Sequence, residues 1–563
     1  MNRSPFSAGN VFILCALLFS LQIIPRWWSD SIILDEEWEL TASYYYWKTG
    51  DVWTPSGTTA PGALSALPLL FMDLKLDPTA FPNYENRSFD FLYRDNFKYL
   101  AAITVWGRVA DWLMGLLIGF MLYRLTRKSP PPERVAAMVL WAFQPLLLAY
   151  AGTAKLDIPV TFWFILCLSL HSEAQHRKKI FLFAAAGFLA GLAASSRYNG
   201  IFILPMMLAV EILDGAAAGW DLRKWATRLK NWLAGLAGFA AALSLCYLPG
   251  TLLVPGHPLP FRFFVGFFQN YGKMLPQITH ENSFFAGRIW HGGSYLLFPE
   301  QFFLKNPVSF LIFLFLGIFL IAAKKIKIPR WIWVSPAVYV GLYWTFNKGM
   351  FVRHVLPVYP CLILIAAAAF LWLWRACRPS PSLLIRNLPL LLLLWCPLSV
   401  LANYPHYLAY ANDFVTSRQK PDQLFLFNWS LGQDVKRLAE TARERGWKKV
   451  KFISTGRTDP YFYGMDWEPW SLRDLAAPQP GTVYVVDPCL LQQDEAYHAL
   501  FHRKGSWLDR LEPTGDVGGT FYYYEIPGKF SPDPSALINS FPYYLNGVQP
   551  YHRHPGQILI QPE

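Results

Sequence analysis

Charged residues are scarce in this chain. Only 16% of its 563 residues are Asp, Glu, Lys or Arg, whereas 53% are hydrophobic. That composition excludes an ordinary soluble protein, because runs of about 20 apolar residues match the hydrocarbon core of a bilayer and the chain holds many such runs. The sequence therefore predicts a mainly α-helical, polytopic membrane protein.

Cysteines are also few, and several familiar signatures are absent. The seven cysteines are scattered, mostly in or beside apolar segments, and their spacing matches neither a zinc site nor a disulfide framework. The chain has no Walker loop, no dinucleotide fingerprint after a strand, no nucleophile elbow and no zinc-protease helix. It also lacks internal repeats and low-complexity tracts.

The positive charge lies in short loops between the apolar segments. The net charge is +12, but the basic residues form no single cluster, so nucleic acid is not an expected partner. Lys and Arg follow every second span, which predicts that those loops and the N-terminus are cytoplasmic and the C-terminus is outside. The first span lacks a small-residue cleavage site and is interpreted as a retained anchor rather than a signal peptide. Eleven spans are predicted, at residues 10–26, 99–123, 134–150, 157–172, 180–195, 199–214, 232–249, 307–323, 331–346, 354–374 and 383–402.

Two domains are predicted. Residues 1–402 would form the transmembrane catalytic domain of a protein of the cell (inner) membrane, with long outer loops at 27–98 and 250–306. The apolar stretch 63–74 is too short to span and predicts an interfacial or re-entrant helix. Residues 403–563 contain short apolar runs at 424–427, 450–454, 483–486 and 520–526, with a polar helical stretch at 433–445. This alternation predicts a small extracytoplasmic α/β domain.

An acidic cluster, Asp35, Glu36 and Glu37, follows the first span. Acidic side chains in the first turn of a helix are stabilised by the helix dipole, which is the simplest interpretation. A carboxylate beside a low-dielectric boundary can also act as a general base. Asp157 begins an otherwise apolar span, where it could be a helix N-cap, although an ionisable group at a membrane boundary is a functional candidate.

Four basic residues lie at or near the predicted outer ends of spans: Arg108, Arg197, Lys305 and Arg353. Such side chains can extend to lipid headgroups. Arg108 lies about two turns into its span, which is deep for that behaviour and predicts a cavity or a partner. Cations around an outer cavity would suit a phosphate-bearing ligand. Together with carboxylates that could deprotonate a hydroxyl, they suggest transfer of a group from a lipid phosphate.

The order of several short motifs resembles the GT-C glycosyltransferases that use polyprenyl-phosphate sugars, including protein O-mannosyltransferases and the lipid A aminoarabinose transferase. The motifs are residues 34–36 (LDE), 106–108 (WGR), 154–159 (AKLDIP), 195–200 (SSRYNG), 285–307, ending LKNP, 353–357 (RHVLP), 404–410 (YPHYLAY) and 429–434 (WSLGQD).

The resemblance implies inverting transfer of a sugar to a hydroxyl of a protein, lipid or envelope glycan. Asp35 would be the base, with Glu36 and Asp157 in support, and the lipid phosphate would be held by cations such as those named above. Some relatives need a divalent ion; if one binds here, Asp35, Asp157 and His291 are candidate ligands. Within the acidic cluster, Glu37 is interpreted as a solvated neighbour.

Two departures from the family pattern bear on donor or acceptor preference. The first loop has residues 59–63 (TAPGA) where the family often has a double proline, and residues 427–431 (FNWSL) replace a usually acidic start. Competing hypotheses are a transporter or flippase for lipid-linked sugars, which often shows repeats and broken midplane helices, and a binder without turnover.

Overall fold

The fold is taken from a computed structural model. The residues that the structure describes are 8–50, 52, 59–76, 84–217, 222–253, 267, 283–285, 288–290, 292–349, 351–415, 429–454, 458–470, 474, 478–488, 507–509 and 511–527. They divide into two units. The first comprises Met1–Trp27, Glu36–Glu281 and Tyr295–Phe414, and the second comprises Trp28–Asp35, Asn282–Ser294 and Val415–Glu563.

Helices make up most of the first unit. Their bounds are α1 Ala8–Ile23, α2 Arg26–Ser29, α3 Leu34–Thr49, α4 Tyr84–Phe89, α5 Leu100–Thr126, α6 Pro131–Ala142, α7 Pro145–Ala151, α8 Asp157–Arg177, α9 Ile180–Ser196, α10 Ile203–Ala217, α11 Leu222–Leu253, α12 Leu297–Leu304, α13 Val308–Ala322, α14 Arg330–Phe346, α15 Tyr359–Cys377 and α16 Leu383–Leu401. Short 3₁₀ segments at Tyr198–Phe202 and Val352–Val358 precede α10 and α15. The predicted helix at 63–74 is two 3₁₀ turns, Ala63–Ala66 and Pro68–Phe71.

Several of these helices can cross a membrane. Among the described residues, six helical segments are long and apolar enough, and up to eight if each of two bent helix pairs counts as one span. The pairs are α6 with α7, bent by 50°, and α12 with α13, bent by 118°. The predicted fold class, a polytopic helical protein with a small C-terminal sheet, is confirmed. Each predicted span overlaps a helix or bent pair, but the count of eleven and the orientation of the termini stay predictions.

Glycines allow a close contact between α9 and α11 in the first unit. A Cβ placed on Gly187 of α9 would lie 1.8 Å from the carbonyl oxygen of Gly235 in α11. One on Gly238 of α11 would lie 2.0 Å from the carbonyl oxygen of Ala184. Small residues let helix backbones approach closely, which is a common basis of helix association in membranes.

The second unit contains a five-stranded mixed sheet. Its strands are β3 Val450–Ile453, β4 Glu468–Pro469, β5 Val483–Val486, β6 Gly515–Val517 and β7 Phe521–Glu525, in the order β4-β3-β5-β7-β6. A separate hairpin consists of β1 Ser283–Phe285 and β2 Arg288–Trp290. Strand β3 runs parallel to β4 and β5, whereas β7 is antiparallel to β5 and β6.

An amphipathic helix covers one face of this sheet. Helix α17, Val435–Glu444, buries Val435, Leu438, Ala439 and Ala442, which are spaced to share one helical face. These side chains pack against strand residues that include Phe452. The predicted helix at 433–445 and three of the four predicted strands are therefore present, while residues 424–427 lie outside the described residues. The predicted division into a transmembrane catalytic domain, residues 1–402, and an extracytoplasmic domain, residues 403–563, stays a prediction.

Candidate active site

A buried ion pair joins α3 to α5. Arg108 donates from Nε to Oε1 of Glu36 and from Nη2 to Oε2, both at 2.7 Å. Both side chains are fully buried. A two-point contact between guanidinium and carboxylate is a strong and directional hydrogen-bonded pair. The expected partner of Arg108 is thus a carboxylate of the acidic cluster itself.

The chain that leads into α8 is held by carboxylates on α3 and α5. The backbone N–H of Ala154 donates to Oε1 of Glu36 at 2.9 Å, and that of Leu156 donates to Oε2 of Glu39 at 2.9 Å. Between them, the backbone N–H of Lys155 is hydrogen-bonded to the carboxyl group of Asp111. Three successive amide donors therefore each meet an acid, and this arrangement fixes the loop immediately before Asp157.

Asp157 begins α8 and forms a second buried ion pair. Its Oδ1 accepts a hydrogen bond from Nη1 of Arg197, which follows the last residue of α9. Burial lowers the pKa of Arg197, whereas the charges of Asp157, Tyr198 and Glu39 together raise it by more. The net pKa therefore lies above the ordinary value, and the guanidinium stays charged. The second oxygen, Oδ2, is buried and accepts no hydrogen bond from the described residues. Buried carboxylate oxygens ordinarily have a partner, so this oxygen is suited to a ligand hydroxyl.

Tyrosines surround the chain next to Arg353. Tyr343 Oη lies 2.9 Å from Tyr198 Oη and 3.1 Å from Nδ1 of His354, and Tyr339 Oη donates to the His354 carbonyl oxygen at 2.7 Å. Tyr339 and Tyr343 both lie on α14, and their rings stack. The side chain of Arg353 is close enough to Arg197 for the two charges to repel each other. Two buried cations held near each other favour an anion between them.

Lys305 lies at the end of α12, at the sharp bend before α13. Its Nζ donates to the carbonyl oxygens of Leu408 and Tyr410 at 2.8 and 2.6 Å. The amide group of Asn412 donates to the carbonyl oxygens of Phe303 and Asn306 at 2.6 and 3.0 Å. The predicted lipid-phosphate role of Lys305 stays a prediction, and the structure adds a role in holding residues 408–412 against the bend.

Removal of the Lys305 charge is expected to destabilise the fold. Lys305→Met keeps the length of the side chain but leaves two buried carbonyl groups without this donor, at a cost of about 1–3 kcal/mol for each group. The measurement is the apparent unfolding temperature in detergent. Lys325→Met, at an exposed lysine, is the control and should leave that temperature unchanged. Equal unfolding temperatures for the two variants would contradict the role of Lys305 in holding residues 408–412.

The remaining predicted residues fall elsewhere. Asp35 lies in the first turn of α3, is buried, and is grouped with the second unit. Glu37 is fully buried, so the interpretation of it as a solvated neighbour is wrong; it lies on a helix whose surroundings exclude water. His291 lies outside the described residues. Among the residues that the structure does describe, no group of three or more His, Cys, Asp or Glu side chains could hold a metal ion. The Asp157 carboxylate pairs with Arg197, and a divalent ion held by Asp35, Asp157 and His291 stays a prediction.

Two acids of the site were not predicted from the sequence. Glu39 lies three residues after Glu36, and Asp111 lies three residues after Arg108, so each shares a helical face with its neighbour. Asp111 is buried and near enough to Glu36, Glu39 and Asp157 to interact with their charges. The i, i+3 spacing within α3 and α5 was the signal that could have identified both.

Residues 102–247 match the family model described as dolichyl-phosphate-mannose-protein mannosyltransferase. The predicted resemblance is confirmed over this segment. The segment contains Arg108, Asp111, Asp157 and Arg197, whereas Glu36, Glu39, Lys305 and Arg353 lie outside it. No curated protein sequence matches the chain.

Solved structures of similar proteins include ArnT from Cupriavidus metallidurans, with 10% identity over 92% of this chain and 98% of that one and a TM-score of 0.39. A second structure of that protein, bound to undecaprenyl phosphate, has 9% identity over the same shares of the two chains and a TM-score of 0.39. The oligosaccharyltransferase AglB from Archaeoglobus fulgidus, in complex with an inhibitory peptide and a dolichol phosphate, has 12% identity over 87% of this chain and 71% of that one and a TM-score of 0.47. These similarities are distant.

Proposed function

We propose that this protein is an inverting glycosyltransferase that moves a sugar from a polyprenyl-phosphate donor to a hydroxyl acceptor on the outer face of the membrane. One observation carries the proposal: the segment that matches a lipid-phosphate-dependent mannosyltransferase family contains the buried Asp157–Arg197 pair, with one carboxylate oxygen left open. Burial of charge is costly and is expected where binding or chemistry needs it.

The donor phosphate is the first group that the site must hold. Arg197 and Arg353 are the proposed phosphate ligands, because they are neighbouring cations and a departing phosphate gains negative charge as its bond to the sugar breaks. Arg108 contributes indirectly, since it holds Glu36 and thereby the loop before Asp157. Asp157 accepts a hydrogen bond from a substrate hydroxyl through Oδ2.

The transfer step needs a base for the acceptor. In the proposed step the carboxylate of Asp35 takes the proton of the acceptor hydroxyl while that oxygen bonds to the anomeric carbon. The bond between this carbon and the phosphate oxygen breaks on the opposite face, so the configuration inverts and polyprenyl phosphate leaves with the electron pair. Glu36 and Glu39 support the site by fixing the backbone at residues 154 and 156.

Release of the lipid phosphate is the direct test. The purified protein is reconstituted in liposomes with a radiolabelled polyprenyl-phosphate sugar and with lipid, protein or glycan fractions of the cell envelope. We expect label to enter one acceptor fraction in equal amount to the polyprenyl phosphate released, with an inverted anomeric centre by NMR. Movement of the label across the bilayer without release would identify a flippase. Saturable binding without either would identify a binder.

A further inference from the structure

Residues 28–35, which end with the proposed base Asp35, are called here the anchor segment. They belong to the second unit, together with the C-terminal domain. The anchor segment ends on Asp35, and α3 begins at Leu34. The contacts that hold the anchor segment therefore determine the position of the Asp35 carboxylate in the first turn of α3.

The C-terminal domain holds the anchor segment through backbone carbonyls. Residues 429–434, called here the carbonyl turn, present successive carbonyl groups to it. The N–H of Ser31 donates to Gln433 O at 3.0 Å, and the N–H of Leu34 donates to Leu431 O at 2.9 Å. The hydroxyl of Ser31 donates to the intervening carbonyl, Gly432 O, at 2.7 Å. The last of the backbone contacts is made by the residue next to Asp35.

The carbonyl turn is itself rigidly built. Gln433 donates from Nε2 to Trp429 O at 2.9 Å and accepts from the N–H of Leu431 at 2.8 Å, so its amide group bridges the turn. Gly432 has φ of +89°, a conformation that favours glycine. The sequence WSLGQD thus contains the two residues that shape the turn, Gly432 and Gln433.

Arg437 ties the anchor segment to the body of the domain. It lies on α17 and forms ion pairs with Asp30 and with Asp434, and its Nη2 donates to Ser29 Oγ at 2.8 Å. The other oxygen of Asp434 accepts from Thr520 Oγ1 at 2.8 Å. A continuous path of polar contacts therefore runs from the β6–β7 connection through Asp434 and Arg437 to Asp30.

The β6–β7 connection closes this path tightly. Gly518 has φ of +64°, and a Cβ there would lie 2.2 Å from the carboxyl carbon of Asp434. A second, independent contact reaches the anchor segment from the loop after β3, where Thr458 Oγ1 donates to Ile32 O at 2.7 Å. The hold on the anchor segment is therefore distributed over α17, the carbonyl turn and the loop after β3.

We propose that the C-terminal domain is the positioning element of Asp35, and that Arg437 is its central positioning residue. The proposal rests on the function proposed above, in which Asp35 is the base. Arg437 contacts Asp30 and Ser29 of the anchor segment. Its effect on transfer is indirect, because it fixes the chain that ends on the reacting carboxylate. Misplacement of a catalytic group by about 1 Å can lower a rate by about a hundredfold.

Arg437→Ala tests the proposal against a matched arginine. The control is Arg445→Ala, directly after the same helix, where Arg445 pairs with Glu525 at 3.6 Å and stacks over Tyr523 without contact to the anchor segment. Arg437→Ala should lower kcat by about tenfold to a hundredfold with little change in the KM for the donor. It should also speed amide hydrogen exchange in the peptide that contains Ser31 and Leu34, and Arg445→Ala should do neither.

The two readouts separate the outcomes. Wild-type exchange and kcat in Arg437→Ala would overturn the positioning role, as would a lower kcat with unchanged exchange. Full transfer by Asp35→Asn would instead refute the proposed base while leaving the exchange result intact. If Arg437→Ala fails to fold, Thr458→Val, which removes only the hydroxyl contact to Ile32, is expected to show the same pattern to a smaller degree.

Discussion

Asp35→Asn is expected to lower kcat for sugar transfer by roughly 10²- to 10⁴-fold, the usual contribution of a general base. The amide has the shape of the carboxylate but cannot take the proton of the acceptor hydroxyl. Donor binding should persist, because the proposed phosphate ligands, Arg197 and Arg353, are unchanged. The measurement is single-turnover release of polyprenyl phosphate at saturating donor, with donor affinity determined separately on the same preparation.

The control for this variant is Asp73→Asn. Asp73 lies in the same predicted outer loop and is exposed, so the substitution makes the same chemical change without an expected effect on transfer. An unfolding temperature equal to that of the wild type would show that Asp35→Asn is folded. A folded Asp35→Asn protein with the wild-type kcat would remove Asp35 from the mechanism. The base would then be sought among the other buried acids of the site, first Glu39 and Asp111.

The helical fold was predictable because hydrophobicity is a local signal. Each predicted span is a run of apolar residues that needs no knowledge of its neighbours, and helix α17 showed its amphipathic spacing in the same way. The short strands β3, β5 and β7 were visible as brief apolar runs. Span counting was harder, since the bends after α6 and α12 follow from packing and proline positions rather than from composition.

The candidate site was predictable only as a set of residue types. An arginine deep in an apolar segment signals a partner, and Glu36 is that partner, but nothing in the sequence pairs Asp157 with Arg197 rather than with a ligand. The amide contacts of residues 154–156 depend on backbone geometry and carry no side-chain signature. For the same physical reason, the inclusion of residues 28–35 in the second unit could not be predicted, because backbone hydrogen bonds to the carbonyl turn have no side-chain pattern.

The buried Glu36–Arg108 pair is expected to contribute strongly to stability. Glu36→Ala leaves the Arg108 charge buried without its two-point partner and removes an acceptor from Ala154, so a loss of about 3–5 kcal/mol in the free energy of unfolding is expected. Glu36→Gln combined with Arg108→Gln removes both charges and retains an acceptor for the Ala154 amide. The double variant should therefore be more stable than the sum of the single Gln variants predicts, which is the signature of a direct interaction.

The matched control is the Glu173–Arg177 pair at 2.5 Å, whose side chains are 46% and 60% exposed. Because water screens that pair, Glu173→Gln should cost only about 0–1 kcal/mol. Unfolding temperatures in detergent measure all of these variants, and strictly additive effects of Glu36→Gln and Arg108→Gln would contradict a buried pair.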